Sequence, residues 1–151
     1  MTAPARTRDQ RQADTRRRLE QDVDLWVATA DAETPYLIPV SYLWDGETLL
    51  VSTPAESPTG RNLQRTGRVR LALGPTRDVV MIEASVEVIP SAKLPTAVGD
   101  AFAARTEFDP REERKPYLYF RLRPRRIQAW REANELSGRE LMRDGAWLVD
   151  S

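Results

Sequence analysis

From residue 24 onward, apolar and polar positions along this chain alternate with the period of a β-strand. Arg68-Val69-Arg70-Leu71-Ala72-Leu73 is the clearest case, with one apolar face and one charged face. Leu25–Ala30, Tyr36–Trp44, Glu47–Thr53 and the long run Asp78–Ile89 read as further strands. Tyr117–Leu122 and Arg126–Arg131 are strand material interrupted by Pro124. Asp45-Gly46 and Asp144-Gly145 are hairpin signals, and the second closes Glu140–Val149. Pro39 cannot donate to a ladder, so its strand has an edge, a bulge or an irregular point there. A bulge is also a place where backbone N–H groups can turn toward a ligand.

Three stretches carry helical signals. Residues 1–23 are charged and poor in large apolar side chains, and Ala13, Leu19 and Val23 make only a thin stripe. This predicts a helix over Asp9–Gln21 with a frayed start. Ser57-Pro58 opens a second helix, with Ser at the N-cap, Pro at the first turn and Gly67 to end it. Ser91 is a candidate cap for a third, whose buried face is Leu94, Val98 and Phe102. Six to eight short strands with two or three inserted helices predict a β-dominated α+β barrel domain over 24–151, preceded by the charged extension 1–23. The element order does not make regular βαβ units, which excludes a doubly wound sheet.

Composition narrows the chemistry. The 151 residues carry 23 basic and 23 acidic side chains, so no broad basic field invites nucleic acid. No apolar run approaches the roughly 20 residues of a membrane span, and a cytoplasmic protein is expected. There is no Cys and no His. Thiol nucleophiles, thiolate metal sites and a Ser-His-Asp triad are therefore excluded, and no metal site is expected. If the chain is an enzyme, a redox cofactor is the natural carrier of its chemistry.

The helix opened by Ser57 is the candidate anion site. A helix N-terminus carries free N–H groups and about half a positive charge. Ser57, Thr59 and Arg61 add hydroxyl and guanidinium donors. The competing reading is an ordinary capped helix.

The order of these motifs resembles the pyridoxamine 5′-phosphate oxidase-like proteins, the flavin-binding split β-barrels. The resemblance is carried by Val27-Ala28-Thr29-Ala30, Pro39-Val40-Ser41, the Asp45-Gly46 hairpin, Ser52-Thr53 with Ser57, Asn62-Leu63 with Gly67-Arg68-Val69, and the tail Arg123–Trp130. Arg139 and Trp147 match the end of the oxidase itself. The resemblance implies a homodimer with two shared cofactor sites. It implies that Pro39, Val40 and Ser41 line the flavin ring. It implies that Ser52, Thr53, Ser57, Thr59, Arg61 and Asn62 approach the ribityl chain and phosphate, and that Trp130 and Arg139 come from the partner. The implied cofactor is FMN, with the deazaflavin F420 as the alternative. The implied activity is hydride transfer to or from a small organic substrate, with a proton from Tyr36, Tyr42 or solvent. The alternatives are a non-catalytic flavin carrier and a barrel that has lost its cofactor. Three positions depart from the family. Thr59 stands where a Lys is frequent, and Glu135 and Ser137 stand where the oxidase has an Arg and a His that hold the vitamin phosphate. These departures argue against pyridoxamine phosphate as substrate.

Overall fold

The computed structural model describes residues 2–150. Three α-helices and nine strands form a β-dominated α+β fold: α1 Arg8–Gln21, β1 Asp24–Ala30, β2 Pro35–Ser41, β3 Leu43–Trp44, β4 Leu49–Pro54, α2 Pro58–Thr66, β5 Arg68–Leu73, β6 Val79–Pro90, α3 Thr96–Thr106, β7 Tyr117–Trp130, β8 Glu140–Arg143 and β9 Ala146–Trp147. The strands make one antiparallel sheet in the order β2-β1-β5-β6-β7-β4-β3, with β8 and β9 attached to β7. The strand count exceeds the expected six to eight: Tyr36–Trp44 is two strands and the closing hairpin supplies two more, although the two expected runs around Pro124 merge into one. Tyr42 breaks Tyr36–Trp44: the side chain is 1 % exposed and its hydroxyl donates to the Leu19 carbonyl.

The sheet curls around a core of Leu25, Val27, Val51, Leu71, Ile82, Phe120 and Ile127, closed by Leu63 of α2 and Leu19 of α1. β4 is buried on both faces because α3 covers the side turned away from the barrel. Leu49 and Val51 face the barrel, while Leu50 joins a second core with Ile89, Leu94, Phe102 and Tyr119 beneath α3. The Tyr119 ring meets Phe102 edge-to-face at 5.5 Å, and burial pushes the pKa of its unpartnered hydroxyl up.

Three local expectations are corrected. β7 is not interrupted at Pro124. Ala84 pairs with Pro124 and Glu83 with Arg126, so Arg125 is one extra residue, a β-bulge. Because side chains alternate with period two, the extra residue resets the alternation. Leu122 and Pro124 before it, and Ile127 and Ala129 after it, are thus all buried. The third helix is not capped by Ser91, which lies in a separate 3-10 turn, Ser91–Lys93; Pro95 forces the break and α3 starts at Thr96. α1 does not fray at its start. Thr7 and Gln10 make a reciprocal capping box. Its buried face is Arg11, Gln12, Thr15 and Leu19, with Ala13 exposed. Both Asp-Gly turns form as expected; Asp144 and Gly145 have φ 51° and 80°, the positive pair a tight hairpin demands.

Candidate functional site

α2 begins as its sequence dictates. Ser57 is the N-cap, its Oγ accepting from Gly60 N–H at 3.0 Å and donating to the Pro54 carbonyl at 2.8 Å. Thr53 Oγ1 lies 3.3 Å from the same hydroxyl. Thr53, Ser57 and Thr59 therefore gather at one end of the helix. The chain lies so tightly there that a β-carbon at Gly60 would collide with the Pro54 carbonyl oxygen and approach that of Ala55 at 3.1 Å. Gly60 is a site residue that the sequence reading missed; only the path of the preceding loop reveals it.

The same geometry spends most of the helix's free donors. Ser57 N–H bonds the Pro54 carbonyl, Pro58 has none, Gly60 N–H is capped and Arg61 N–H bonds the Ser57 carbonyl. Thr59 N–H is left without a backbone partner; Arg61, two residues on, is exposed on the other side of the helix. The Thr59 residue is only 3 % exposed, so the open donor at this end of the helix is the Arg61 guanidinium.

Ser52 and Asn62 stand apart from this group. Neighbouring strand residues face opposite ways, so Ser52 points to the α3 side and donates to the Leu118 carbonyl at 2.8 Å. Asn62 is 2 % exposed, donates to Thr29 Oγ1 at 3.2 Å and accepts from Arg65 at 3.0 Å. It ties α2 to β1.

Pro39, Val40 and Ser41 lie on β2, which ends the sheet order and pairs only with β1 among the described residues. No bulge forms at Pro39; the edge accommodates it. Tyr42 N–H bonds the Val23 carbonyl, so Val40 and Ile38 also turn toward β1. Leu37, Pro39 and Ser41 then present their backbone to the open side, where the missing proline donor costs no ladder bond. Ser41 offers an outward N–H there, and its hydroxyl donates to Asp24 at 2.6 Å.

Trp130 and Arg139 come together, with the guanidinium 5.9 Å from the ring centroid, within cation–π range. Arg139 opens on a cleft of about 410 Å³ that it shares with Arg8, Arg126, Gln128 and Arg143. This pair does not meet α2 within one chain. Trp130 pairs with Val79, whereas Val86 bonds the end of α2 at Gly67. Seven strand residues separate the two points, roughly 23 Å. A second cleft of about 660 Å³, between Ala28–Ala30, Arg68, Arg70 and Ser85, contains none of the expected site residues.

Two tail positions have structural work. Glu135 is 2 % exposed and is bound by Arg6, whose hydrogen bonds hold its carboxyl at about 2, well below the usual range. The Ser137 carbonyl accepts from Arg11. Tyr42 is withdrawn as a proton source: burial raises its pKa and its hydroxyl is engaged in the core. Tyr36 is half-buried, and its hydroxyl donates to Asp31 at 3.3 Å.

Residues 12–131 match the model of the pyridoxamine 5′-phosphate oxidase family. The chain belongs to that family. The match ends before Glu135 and Arg139. No curated protein matches the chain. Among solved structures, an F420 reductase aligns at 18 % identity and TM-score 0.61, covering 74 % of this chain and 93 % of its own. A FAD-binding protein from Mesorhizobium loti aligns at 17 % and 0.62, covering 77 % and 89 %. A haem storage protein from Vibrio cholerae aligns at 14 % and 0.59, covering 78 % and 92 %. At these identities the likeness concerns the fold.

Proposed function

We propose that this family member binds FMN or the deazaflavin F420 in a homodimer and transfers a hydride to or from a small organic substrate. The observation that carries this reading is the capped start of α2, with Arg61 exposed on it, together with an open β2 edge on the family's barrel. A phosphate fits the exposed Arg61 guanidinium at the positive end of the helix, and a flavin-type ring fits an outward N–H at Ser41. The bound cofactor supplies the redox chemistry. The chain's own residues bind its phosphate, orient its ring and exclude water. A haem reading is disfavoured because His and Cys, two principal axial ligands, are absent.

The separation of Trp130 and Arg139 from α2 supports a site completed by a second copy. So does the outer sheet face. Leu37 is 63 % and Trp26 48 % exposed, and register places Pro39, Ala72 and Met81 in the same row as Trp26. Light scattering is expected to give twice 17.2 kDa. Trp26→Arg is expected to shift this toward one chain, and a monomeric wild type would sink the shared site.

Titration calorimetry with FMN and with F420 tests the anion pole. A charge-assisted hydrogen bond is about twice as strong as a neutral one of about 0.5–1.5 kcal/mol. Arg61→Ala is therefore expected to weaken binding more than Thr59→Ala, and Thr59→Lys to maintain or tighten it. Unchanged affinity in a folded Arg61→Ala variant would return α2 to an ordinary capped helix.

We further infer that pyridoxamine phosphate is not the substrate. Glu135, charged and locked by Arg6, cannot hold a substrate phosphate. Formation of pyridoxal phosphate at an enzymatic rate, on the order of one per second, would contradict this.

A further inference from the structure

We propose that the N-terminal segment is a clamp that positions Trp130 and Arg139 for the cofactor, with Arg11 and Glu135 as its positioning residues. This rests on the reading that Trp130 and Arg139 face a bound flavin.

The chain leaves β7 at Trp130 and returns to β8 at Glu140 through a surface excursion with one 3-10 turn, Ala133–Glu135. Leu136 and Arg139 in it are exposed. Such a segment has little apolar packing to fix it. α1 supplies the missing constraint. Arg11 is 5 % exposed, and its guanidinium donates to the carbonyls of Ala129 at 3.2 Å, Glu135 at 2.8 Å and Ser137 at 3.2 Å. One rigid fork thus grips the start, middle and far side of the excursion. Ala129 N–H bonds the Arg139 carbonyl and closes its neck at 3.0 Å.

Glu135 is the second anchor. Its carboxylate accepts from Arg6 N–H at 2.8 Å, Arg6 Nε at 3.0 Å, Arg6 Nη2 at 2.8 Å and Arg131 N–H at 2.9 Å. Arg6 also pairs with Asp14 of α1 at 3.0 Å, and Arg18 of α1 with Asp78 at 3.0 Å. Fixing Glu135 fixes the next carbonyl, that of Leu136, which accepts from Arg139 at 2.9 Å. Arg139 is thereby held over the Trp130 ring.

The polarity of the buried face of α1 supports this assignment. Leu19 apart, that face is Arg11, Gln12 and Thr15. Burying such groups costs desolvation that an apolar stripe would avoid, while directional bonds fix one geometry. Arg11 spends both terminal nitrogens of its guanidinium on the tail, its Nε staying unpartnered, and Gln12 donates to the carbonyls of Leu141 and Leu148.

The test uses the full chain with Trp26, Trp44 and Trp147 changed to Phe, leaving Trp130 as the sole indole. Arg11→Met keeps the buried stem and removes the donors. Glu135→Gln keeps the shape and removes the charge, and Arg11→Lys restores the cation without the fork. The exposed Glu20→Gln on the same helix is the control. All are read below their melting temperatures, where circular dichroism shows them folded. Arg11→Met and Glu135→Gln are expected to speed tryptic cleavage after Arg131 and Arg139 and to shift Trp130 emission. They are also expected to weaken FMN or F420 binding by on the order of tenfold. Arg11→Lys should fall between, and Glu20→Gln should match the parent. Unchanged cleavage and emission would overturn the clamp. A loosened segment with unchanged cofactor affinity would overturn its role in positioning. If the parent binds neither cofactor while the cleavage and emission changes appear, the clamp's mechanical part stands and the flavin reading fails.

Discussion

Gly60→Ala is expected to lower the melting temperature by roughly 4–8 °C, although helix propensity alone points the other way. In an open helix interior alanine is better than glycine by about 1 kcal/mol. Here the new β-carbon would meet the Pro54 carbonyl oxygen, a backbone atom with no rotamer to change. Overpacking of this kind costs about 1–3 kcal/mol, and the upper end applies because the obstacle is backbone. The net loss is about 2 kcal/mol, and a domain near this size loses about 2–4 °C per kcal/mol. The loop must back away, which breaks the bond between Ser57 Oγ and Gly60 N–H. Cofactor binding should therefore weaken together with stability. Calorimetric melting checks the first effect and titration the second. A variant that melts at or above the parent would show that the loop yields without cost.

The second large effect is in acid. The Glu135 carboxyl is held at about 2 against an unfolded value of 4.5, first by the Arg6 side chain and then by backbone N–H groups. A depressed carboxylate contributes stability that is complete above its unfolded pKa. That stability is lost as pH falls through the folded pKa. The shift corresponds to about 3 kcal/mol. Parent stability is therefore expected to be flat above about pH 5 and to fall steeply between about pH 4.5 and 2. In Glu135→Gln this group cannot titrate, so the slope in that window should be shallower. At neutral pH the variant should be less stable by up to about 3 kcal/mol, because the largely buried Arg6 loses its main partner and keeps only Asp14 and, farther off, Asp78 as counter-charges. The other lowered carboxylates, among them Asp45 and Glu140, are present in both proteins and cancel in the comparison. Urea unfolding from neutral pH to about pH 3 would measure it, and identical slopes would remove Glu135 as the acid-sensitive group.

Local chemistry made much of the fold legible. Ser57, Pro58 and Gly67 bracket α2 because caps depend on a few adjacent residues. The two Asp-Gly turns form because their backbone angles are a property of the turn itself. Arg68–Leu73 is a strand because its alternation matches a one-sided sheet. Two errors were local, the Ser91 cap undone by Pro95 and the frayed start undone by the Thr7–Gln10 capping box; the others involve distant partners. Ala13 looked like the buried side of α1, yet the helix is turned by what Arg11 and Gln12 find on the tail. Pro124 looked like a break, and the register with β6 turned it into part of a bulge. Tyr42 looked available for chemistry until Leu19 closed over it.

The candidate site divides along the same line. That hydroxyls and an arginine would crowd the start of α2 is written in consecutive residues. That Ser52 faces away from Thr53, that Asn62 is spent on Thr29, and that Gly60 leaves no room for a side chain depend on neighbouring strands and loops. By itself the sequence determined the β-dominated barrel and the capped helix. It also determined the absence of His and Cys chemistry, because composition, alternation and capping act within a few residues. Tertiary structure alone decided which donors stay free, which tail residues are locked, and that Trp130 and Arg139 lie far from α2. Those outcomes are set by register, burial and long-range hydrogen bonds, which no local stretch of chain encodes.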